Sequence, residues 1–363
     1  MKIAIFHELH RGGARRSLNE VAKRLKENHI VDLYIVDEKK EESEKEYFNS
    51  VRFFRFIPKK WTGRDWKIRL YRDSIELLKL FFLHKQIAKD INDKHYDIVL
   101  VHPSQYTQAP FILKHLTEKT IYYCHEPLRL AYDPFLKFNS KNLKKRIYEK
   151  CVRQLRKVID KNNTLSADVL ITNSKFTRNA IKQAYGKNAI VCYHGVDASA
   201  FKTTNITRDI DILFIGTNDS LEGGDMFQEI KGELASLYRI VQLDNTKQWV
   251  SEQDLRRYYQ RAKIVLCLSR NEPFGLIPLE AGASGCVTIA INEGGYKESI
   301  VDGVTGFLVK PNSLLLKQKI TEVLVSPQKL KVMSKNARSY IEKNWRWENA
   351  TKQIEKIMQQ IYK

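Results

Sequence analysis

Two carboxylates, Glu272 and Glu280, stand eight positions apart in SRNEPFGLIPLEAGASG, residues 269–285, an otherwise apolar run with three glycines. Pro273, Phe274 and Gly275 lie between them, and an apolar pattern of helical spacing leads into the second. Unpaired carboxylates are poor core residues, but they accept hydrogen bonds from hydroxyl groups. A glycine, lacking Cβ, lets backbone N–H groups approach anionic oxygens at the start of a helix, where the dipole favours negative charge. The stretch reads as one wall of a ligand site. The plainer alternative makes Glu272 a capping residue and Glu280 a solvated helix carboxylate.

Such a wall needs elements to hold it, and the chain supplies them as alternating strands and helices. It opens KIAIFHELHRGGARRSLNEVAKRLKENHIVDLYIVD: strand, Gly-Gly loop, amphipathic helix, strand, a βαβ unit. Further strands are expected at 96–101, 120–124, 168–172 and 189–193, with helices at 75–93 and 175–185 between them. Near residues 198–208 the sequence turns polar, and the alternation restarts with strands at 210–215, 238–243, 264–268, 287–291 and 306–309. From about Leu314 the tail reads as successive helices broken at Pro327 and around Asn344–Trp345. Alternation of this kind implies parallel sheets covered on both faces. Ligands of such sheets bind beyond the carboxyl ends of the strands, where both the Gly-Gly loop and the 269–285 stretch fall.

At 363 residues the chain is comfortable as two domains. Its 43% apolar and 29% charged residues are those of a globular protein; the most apolar stretch, residues 77–88, contains Lys79, His84 and Lys85 and is too short to span a bilayer. Five dispersed cysteines form no C-x-x-C pair and no metal spacing, which suits reduced packing residues and a cytoplasmic protein. The net charge of +20 is uneven. Residues 1–200 hold 39 Lys+Arg against 23 Asp+Glu, an excess of 16, leaving an excess of 4 for the remainder. Any anionic partner is therefore expected to meet the first half.

The longer segment SRNEPFGLIPLEAGASGCVTIAINEGGYKESIVDGVTGFLV resembles the signature of family 4 retaining glycosyltransferases of the GT-B fold, whose E-x7-E motif is met by Glu272 and Glu280. Other pieces recur in order over most of the chain: Gly12-Gly13, ITNSKFT at 171–177, HGVD at 194–197, FIG at 214–216, Gly294-Gly295 and DGVTGFLV. The resemblance implies an α/β chain of two Rossmann-like doubly wound domains facing a central cleft. Residues 1–200 would bind acceptor, 201–345 would bind a nucleotide sugar, and 346–363 would form a helix packing back on the first domain. It implies a hexosyltransferase using a nucleoside-diphosphate sugar, with a saccharide or lipid-linked acceptor, retention of configuration, no metal and no obligatory cofactor.

Carried over residue by residue, Glu280 would accept both ribose hydroxyls, and Glu272 would bind the sugar and balance positive charge developing at its anomeric carbon. Backbone at Phe274, Gly275 and Leu276 would meet phosphate and sugar oxygens. Gly12, Gly13, Gly216, Thr217 and Arg270 would complete the donor contacts, although a strand-to-helix turn also accounts for Gly12-Gly13. His125, in YYCHEPLRLAYD, matches an active-site histidine that contacts the transferred sugar, against the alternative of a structural histidine. That run is similar to a mannosyltransferase-like branch, which makes GDP-mannose a donor to consider. Arg15 or Arg129 could hold a phosphate; a loop-ordering salt bridge serves Arg129 equally well. One departure stands out: where the family carries an Arg and then Lys-Gly to neutralise the diphosphate, FIGTNDSLEGGD has Thr217 and Glu222-Gly223. A non-catalytic sugar-nucleotide binder is the alternative this departure supports.

Two further stretches concentrate charge. Residues 51–72 interleave eight Arg/Lys with Phe53, Phe54, Phe56, Trp61, Trp66 and Tyr71, and residues 141–161 predict a basic amphipathic helix with Leu143, Ile147, Cys151, Leu155 and Val158 on one face. Docking on an anionic, cytoplasmic membrane surface is one reading, and a solvated charged face on a packed helix is the other. Nucleic acid is a poor fit, since no recognised binding motif accompanies the charge.

Overall fold

The computed structural model describes residues 1–39, 42–60, 66–133, 136, 141–204 and 206–362. Trp61 and Arg64 of the basic-aromatic run lie outside the described residues. The chain divides into two compact units, one of residues 1–173, 177–192 and 351–363, the other of 174–176 and 193–350.

In the first unit, seven strands form one sheet: β1 (Lys2–Glu8), β2 (Ile30–Asp37), β3 (Ser50–Arg55), β4 (Ile98–Ser104), β5 (Thr120–Tyr123), β6 (Val169–Thr172) and β7 (Ile190–Val191). Their order is β3-β2-β1-β4-β5-β6-β7, and every pairing is parallel. Parallel neighbours require crossovers, and the helices Gly13–Leu25, Leu77–Asn92, Leu143–Leu165 and Lys175–Tyr185 provide them. Because β2 and β4 flank β1 on opposite sides, strand order reverses there, and the Gly12-Gly13 loop opens at that switch point.

The second unit repeats the plan with β8 (Ile210–Ile215), β9 (Ile240–Leu243), β10 (Ala262–Cys267), β11 (Val287–Ile291) and β12 (Gly306–Val309), ordered β12-β11-β10-β8-β9 and parallel throughout. Successive side chains of a strand point to opposite faces, and both faces are covered. Ile212 and Phe214 pack with Met226, Phe227 and Ile230 of the helix Gly224–Leu234; Leu213 and Val265 pack with Tyr259 and Leu279 from other helices. The switch point here lies between β8 and β10. The tail forms helices Ser313–Leu324, Pro327–Asn344 and Trp347–Tyr362, interrupted where Pro327 and Trp345 suggest.

Two local expectations change. Residues 50–55 form a strand, which the density of charge concealed. It is an edge strand paired only with β2, and its arginines face out, Arg52 onto Asp90 at 2.6 Å; edge strands commonly carry such charge. The basic helix exists, but the face it turns to the body is polar. Arg156 donates to Asp73 at 2.6 Å and to the Tyr106 carbonyl at 2.9 Å, Tyr148 donates to Asp73 at 3.0 Å, and Asp160 is fully buried.

Candidate functional site

In the second unit, the loops that follow β8, β10 and β11 are pressed together at the carboxyl ends of three neighbouring strands. The Arg270 N–H donates to the Leu221 carbonyl at 2.7 Å, tying the loop after β10 to that after β8, and the Gly295 N–H donates to the Glu272 carbonyl at 2.8 Å, tying it to the turn after β11. Glycine is required for this closeness. A Cβ on Gly223 would meet Leu268 backbone at 2.3 Å, and one on Gly294 would lie 2.3 Å from the Glu272 carbonyl oxygen. Gly294-Gly295, part of the family-like pattern, therefore supports the Glu272 loop from beneath.

Within that loop, Asn271 and Gly275 both hold positive φ, 49° and 83°. Gly275 has a second reason to be glycine: a Cβ there would stand 2.6 Å from the Tyr296 ring. Phe274 is buried and its ring meets His194 and Trp345 at 5.5 Å, so it anchors the loop and leaves only its backbone for a ligand. Leu276 likewise packs on the core, at the start of the helix Ile277–Ala283. The Ser174 hydroxyl fixes the loop from the other side by donating to the Pro273 carbonyl at 2.5 Å. Glu272 is half-buried on this braced turn.

Glu280, one turn into the following helix, is buried and accepts from the Tyr259 hydroxyl at 2.9 Å. That bond fixes the rotamer of one carboxylate oxygen. The bland reading of Glu280 as a solvated helix residue is overturned by its burial, while Glu272 does not cap this helix, which has no side-chain cap bond.

The departure from the family pattern acquires a structural cause. Glu222 turns back to accept the Thr217 N–H at 2.7 Å, and Asp219 accepts the Leu221 N–H at 2.7 Å, so the loop after Gly216 is stabilised by carboxylates in place of a cation. Arg270 is the cation beside that loop, and its guanidinium pairs with Glu293 at 3.3 Å. Gln242 donates to the Gly216 carbonyl at 3.0 Å and also lines a surface cavity of about 650 Å³ with Trp249, Asp244 and Tyr258. This cavity was not legible as a site; an exposed tryptophan in a polar loop after β9 was its only sequence signal.

In the first unit, His125 follows β5 and is buried. It stacks on Tyr123 with ring centroids 4.6 Å apart and planes 9° from parallel, and its Nε2 is hydrogen-bonded to His102 Nδ1 at 3.3 Å, one ring donating and the other accepting. His102, on β4, escaped the sequence reading because a lone histidine inside a strand carries no local pattern. Burial alone lowers the His125 imidazole to about 4, so the ring is neutral at neutral pH. It can donate or accept one hydrogen bond to a hydroxyl, and it is not a standing acid.

The two arginines suggested for phosphate are occupied. Arg15 is buried, pairing with Glu44 at 2.6 Å and Asp37 at 3.0 Å. Arg129 donates twice to Asp133, at 3.1 and 2.9 Å, ordering its own loop. A Cβ on Gly12 would meet nothing within 4 Å among the described residues, so none of them demands glycine there. HGVD at 194–197 turns out to be a fastening: the Val196 N–H donates to the Trp345 carbonyl at 2.8 Å, and a Cβ on Gly195 would meet the Trp347 backbone at 2.4 Å.

Comparison with known proteins accords with this architecture. The chain matches the model of Glycosyltransferase Family 4 over residues 11–200 and that of Glycosyl transferases group 1 over residues 198–340. Human alpha-1,3/1,6-mannosyltransferase ALG2 is 24% identical over 346 residues, 81% of this chain and 79% of that protein. A lipopolysaccharide core biosynthesis mannosyltransferase LpcC of Rhizobium leguminosarum is 33% identical over 102 residues, 28% of this chain and 29% of that one. Among solved structures, sucrose-phosphate synthase from Thermosynechococcus elongatus superposes with a TM-score of 0.72 at 16% identity, covering 99% of both chains. Anabaena Alr3699/HepE, solved in complex with UDP and glucose, does so with 0.72 at 17% identity, again over 99% of both. The chain belongs to glycosyltransferase family 4 and is a glycosyltransferase of the GT-B fold.

Proposed function

We propose that the chain moves a hexose from a nucleoside-diphosphate sugar to a saccharide or lipid-linked acceptor at the cytoplasmic face of an anionic membrane surface, without an obligatory metal. The observation that carries the donor part is the convergence of Glu272, Gly275 and Glu280 with the Gly216–Gly223 loop and Arg270 at one switch point. Glu280 grips the ribose hydroxyls through a carboxylate already oriented by Tyr259. Backbone N–H groups beside Gly275 face the diphosphate, and Arg270 exchanges Glu293 for phosphate oxygens, a stronger anionic partner. In this reading protein cations and dipoles balance the diphosphate.

In a retaining transfer without a covalent intermediate, the attacking hydroxyl and the leaving diphosphate share one face of the sugar, and the diphosphate can take the incoming proton. Glu272 then balances the positive charge developing on the ring, and neutral His125 orients a sugar hydroxyl. GDP-mannose is the first donor to test, on the strength of the mannosyltransferases among the relatives. Glu272→Ala should lower turnover by roughly tenfold or more with the thermal unfolding curve unchanged. Initial rates equal to the parent's would refute the assignment.

A binding-only protein is the second reading, favoured by Glu222 standing where the family has a cation. Saturable nucleotide binding with neither transfer nor donor hydrolysis across the donor panel would select it.

A further inference from the structure

An ordinary surface helix buries its apolar stripe and shows its charges to water. Two helical stretches of the first unit depart from this by leaving an apolar stripe in water. On Leu143–Leu165, Leu143, Ile147, Leu155 and Val158 fall on one side and are exposed, Leu143 by 65% and Ile147 by 56%. Lys144, Arg146, Lys150 and Lys161 surround them, also exposed. Both acids of this helix point the other way: Glu149 pairs with Arg69, and Asp160 is buried against the Ala109 N–H and the Tyr185 hydroxyl.

The neighbouring run of residues 66–92 buries one apolar stripe, Leu77, Leu80, Ile87, Ala88 and Ile91, and leaves a second in water. Trp66, Leu70, Ile75, Leu78 and Phe82 are exposed, Trp66 by 67% and Phe82 by 58%, with Lys67, Lys79, Lys85 and Lys89 exposed among them. Of its three acids, Asp73 and Glu76 face inward and Asp90 pairs with Arg52 of the edge strand. The polar groups join the two stretches: Asp73 receives both Arg156 and Tyr148, and Arg69 lies 5.3 Å over the Tyr148 ring while pairing with Glu149. Ion pairs thus lie between the helices, and leucine, isoleucine and aromatic rings face solvent with lysines and Arg146 among them.

From these two exposed apolar stripes we infer that the helices Leu143–Leu165 and 66–92 form a single docking face for an anionic lipid bilayer. The apolar side chains insert between acyl chains at the headgroup boundary, and the lysines and Arg146 meet lipid phosphates. Charge complementarity selects this occupant. A second copy of the chain would bring the same cations against these and repel, and a nucleic acid would leave the apolar stripe unsatisfied. The inference rests on the membrane part of the proposed function and adds which surface performs it. No helix among the described residues is long and apolar enough to cross a membrane, so the attachment is interfacial.

Co-sedimentation of the full chain with vesicles of phosphatidylcholine alone, and of phosphatidylcholine with phosphatidylglycerol, tests it. The parent should pellet with the anionic vesicles and not the neutral ones, and added salt should weaken the binding. Leu143→Glu with Ile147→Glu should cut binding by roughly tenfold or more, as should Lys144→Gln with Lys145→Gln and Lys150→Gln. All these positions are exposed, so circular dichroism and thermal melts should stay those of the parent. A parent that ignores anionic vesicles overturns membrane attachment itself. A parent that binds while every variant binds as well overturns this surface alone. Self-association of the parent, abolished by the Leu143 and Ile147 changes in the absence of lipid, would assign the face to a second copy and overturn the inference.

Discussion

Gly275 shows how a single residue position serves both fold and chemistry. Its φ of 83° disfavours any side chain, and Tyr296 leaves no room for one. Gly275→Ala should therefore cost about 1–3 kcal/mol in denaturant unfolding and abolish transfer beyond that loss, because the Glu272 turn moves with it. His125 offers a test of opposite character. Its folded value of about 4 lies below the ordinary 6.5, so protonation favours the unfolded chain. The stability it permits is complete above about pH 6.5 and is lost as pH falls towards 4, a penalty of up to about 3 kcal/mol. His125→Asn should flatten that part of the acid unfolding curve. Above pH 6.5 the parent's pH–rate profile should show no step from this residue. Glu272, Gly275 and Glu280 were legible because their types and spacing are local. Tyr259 and His102 were not, since each acquires its role only when a distant strand or helix brings it to Glu280 or His125.

Among elements, the Leu143–Leu165 helix is the most informative. Periodicity located it, but periodicity does not say which face turns inward; that was settled by Asp73 and Arg69 on a helix some eighty residues earlier. Its inner end holds Asp160, whose carboxyl is raised to about 6 by burial, partly offset by the Tyr185 hydroxyl and backbone N–H groups. A raised value means the protonated form suits the fold. The penalty is absent below the ordinary value of 3.8, grows as pH rises through about 6, and is full at neutral pH. Asp160→Asn keeps an acceptor for Ala109, so it should raise stability at pH 7 by up to about 3 kcal/mol and leave stability near pH 4 unchanged, as chemical denaturation at the two pH values would report. The strand β3 was missed for a related reason. Its exposed Arg52 and Arg55 suit an edge with one partner strand, whereas sequence reading recognises buried strands by continuous apolar runs.

For the molecule as a whole, βα alternation made the two parallel sheets legible, because parallel neighbours need helical crossovers, but not the order of the strands. The return of the tail was implied by the resemblance alone: residues 351–363 count with the first unit, where Glu355 meets His29 at 2.8 Å and Gln353 donates to the Val191 carbonyl at 2.6 Å. No local signal marks such a return. In the proposed donor site, the loop carboxylates Glu222 and Asp219, standing where the resemblance expects cations, put the burden of neutralising the diphosphate on Arg270. Arg270→Gln should raise the donor KM with little effect on kcat, since the charge it offers to the diphosphate is spent mainly on binding.

Calorimetric titration with the nucleoside diphosphate and with its sugar conjugate, set beside turnover of the same samples, tests the site most directly. Glu280→Gln should lose roughly tenfold or more in affinity for both ligands, whereas Glu272→Gln should keep the diphosphate and lose turnover. If both variants bind and turn over like the parent, the two carboxylates do not hold the donor.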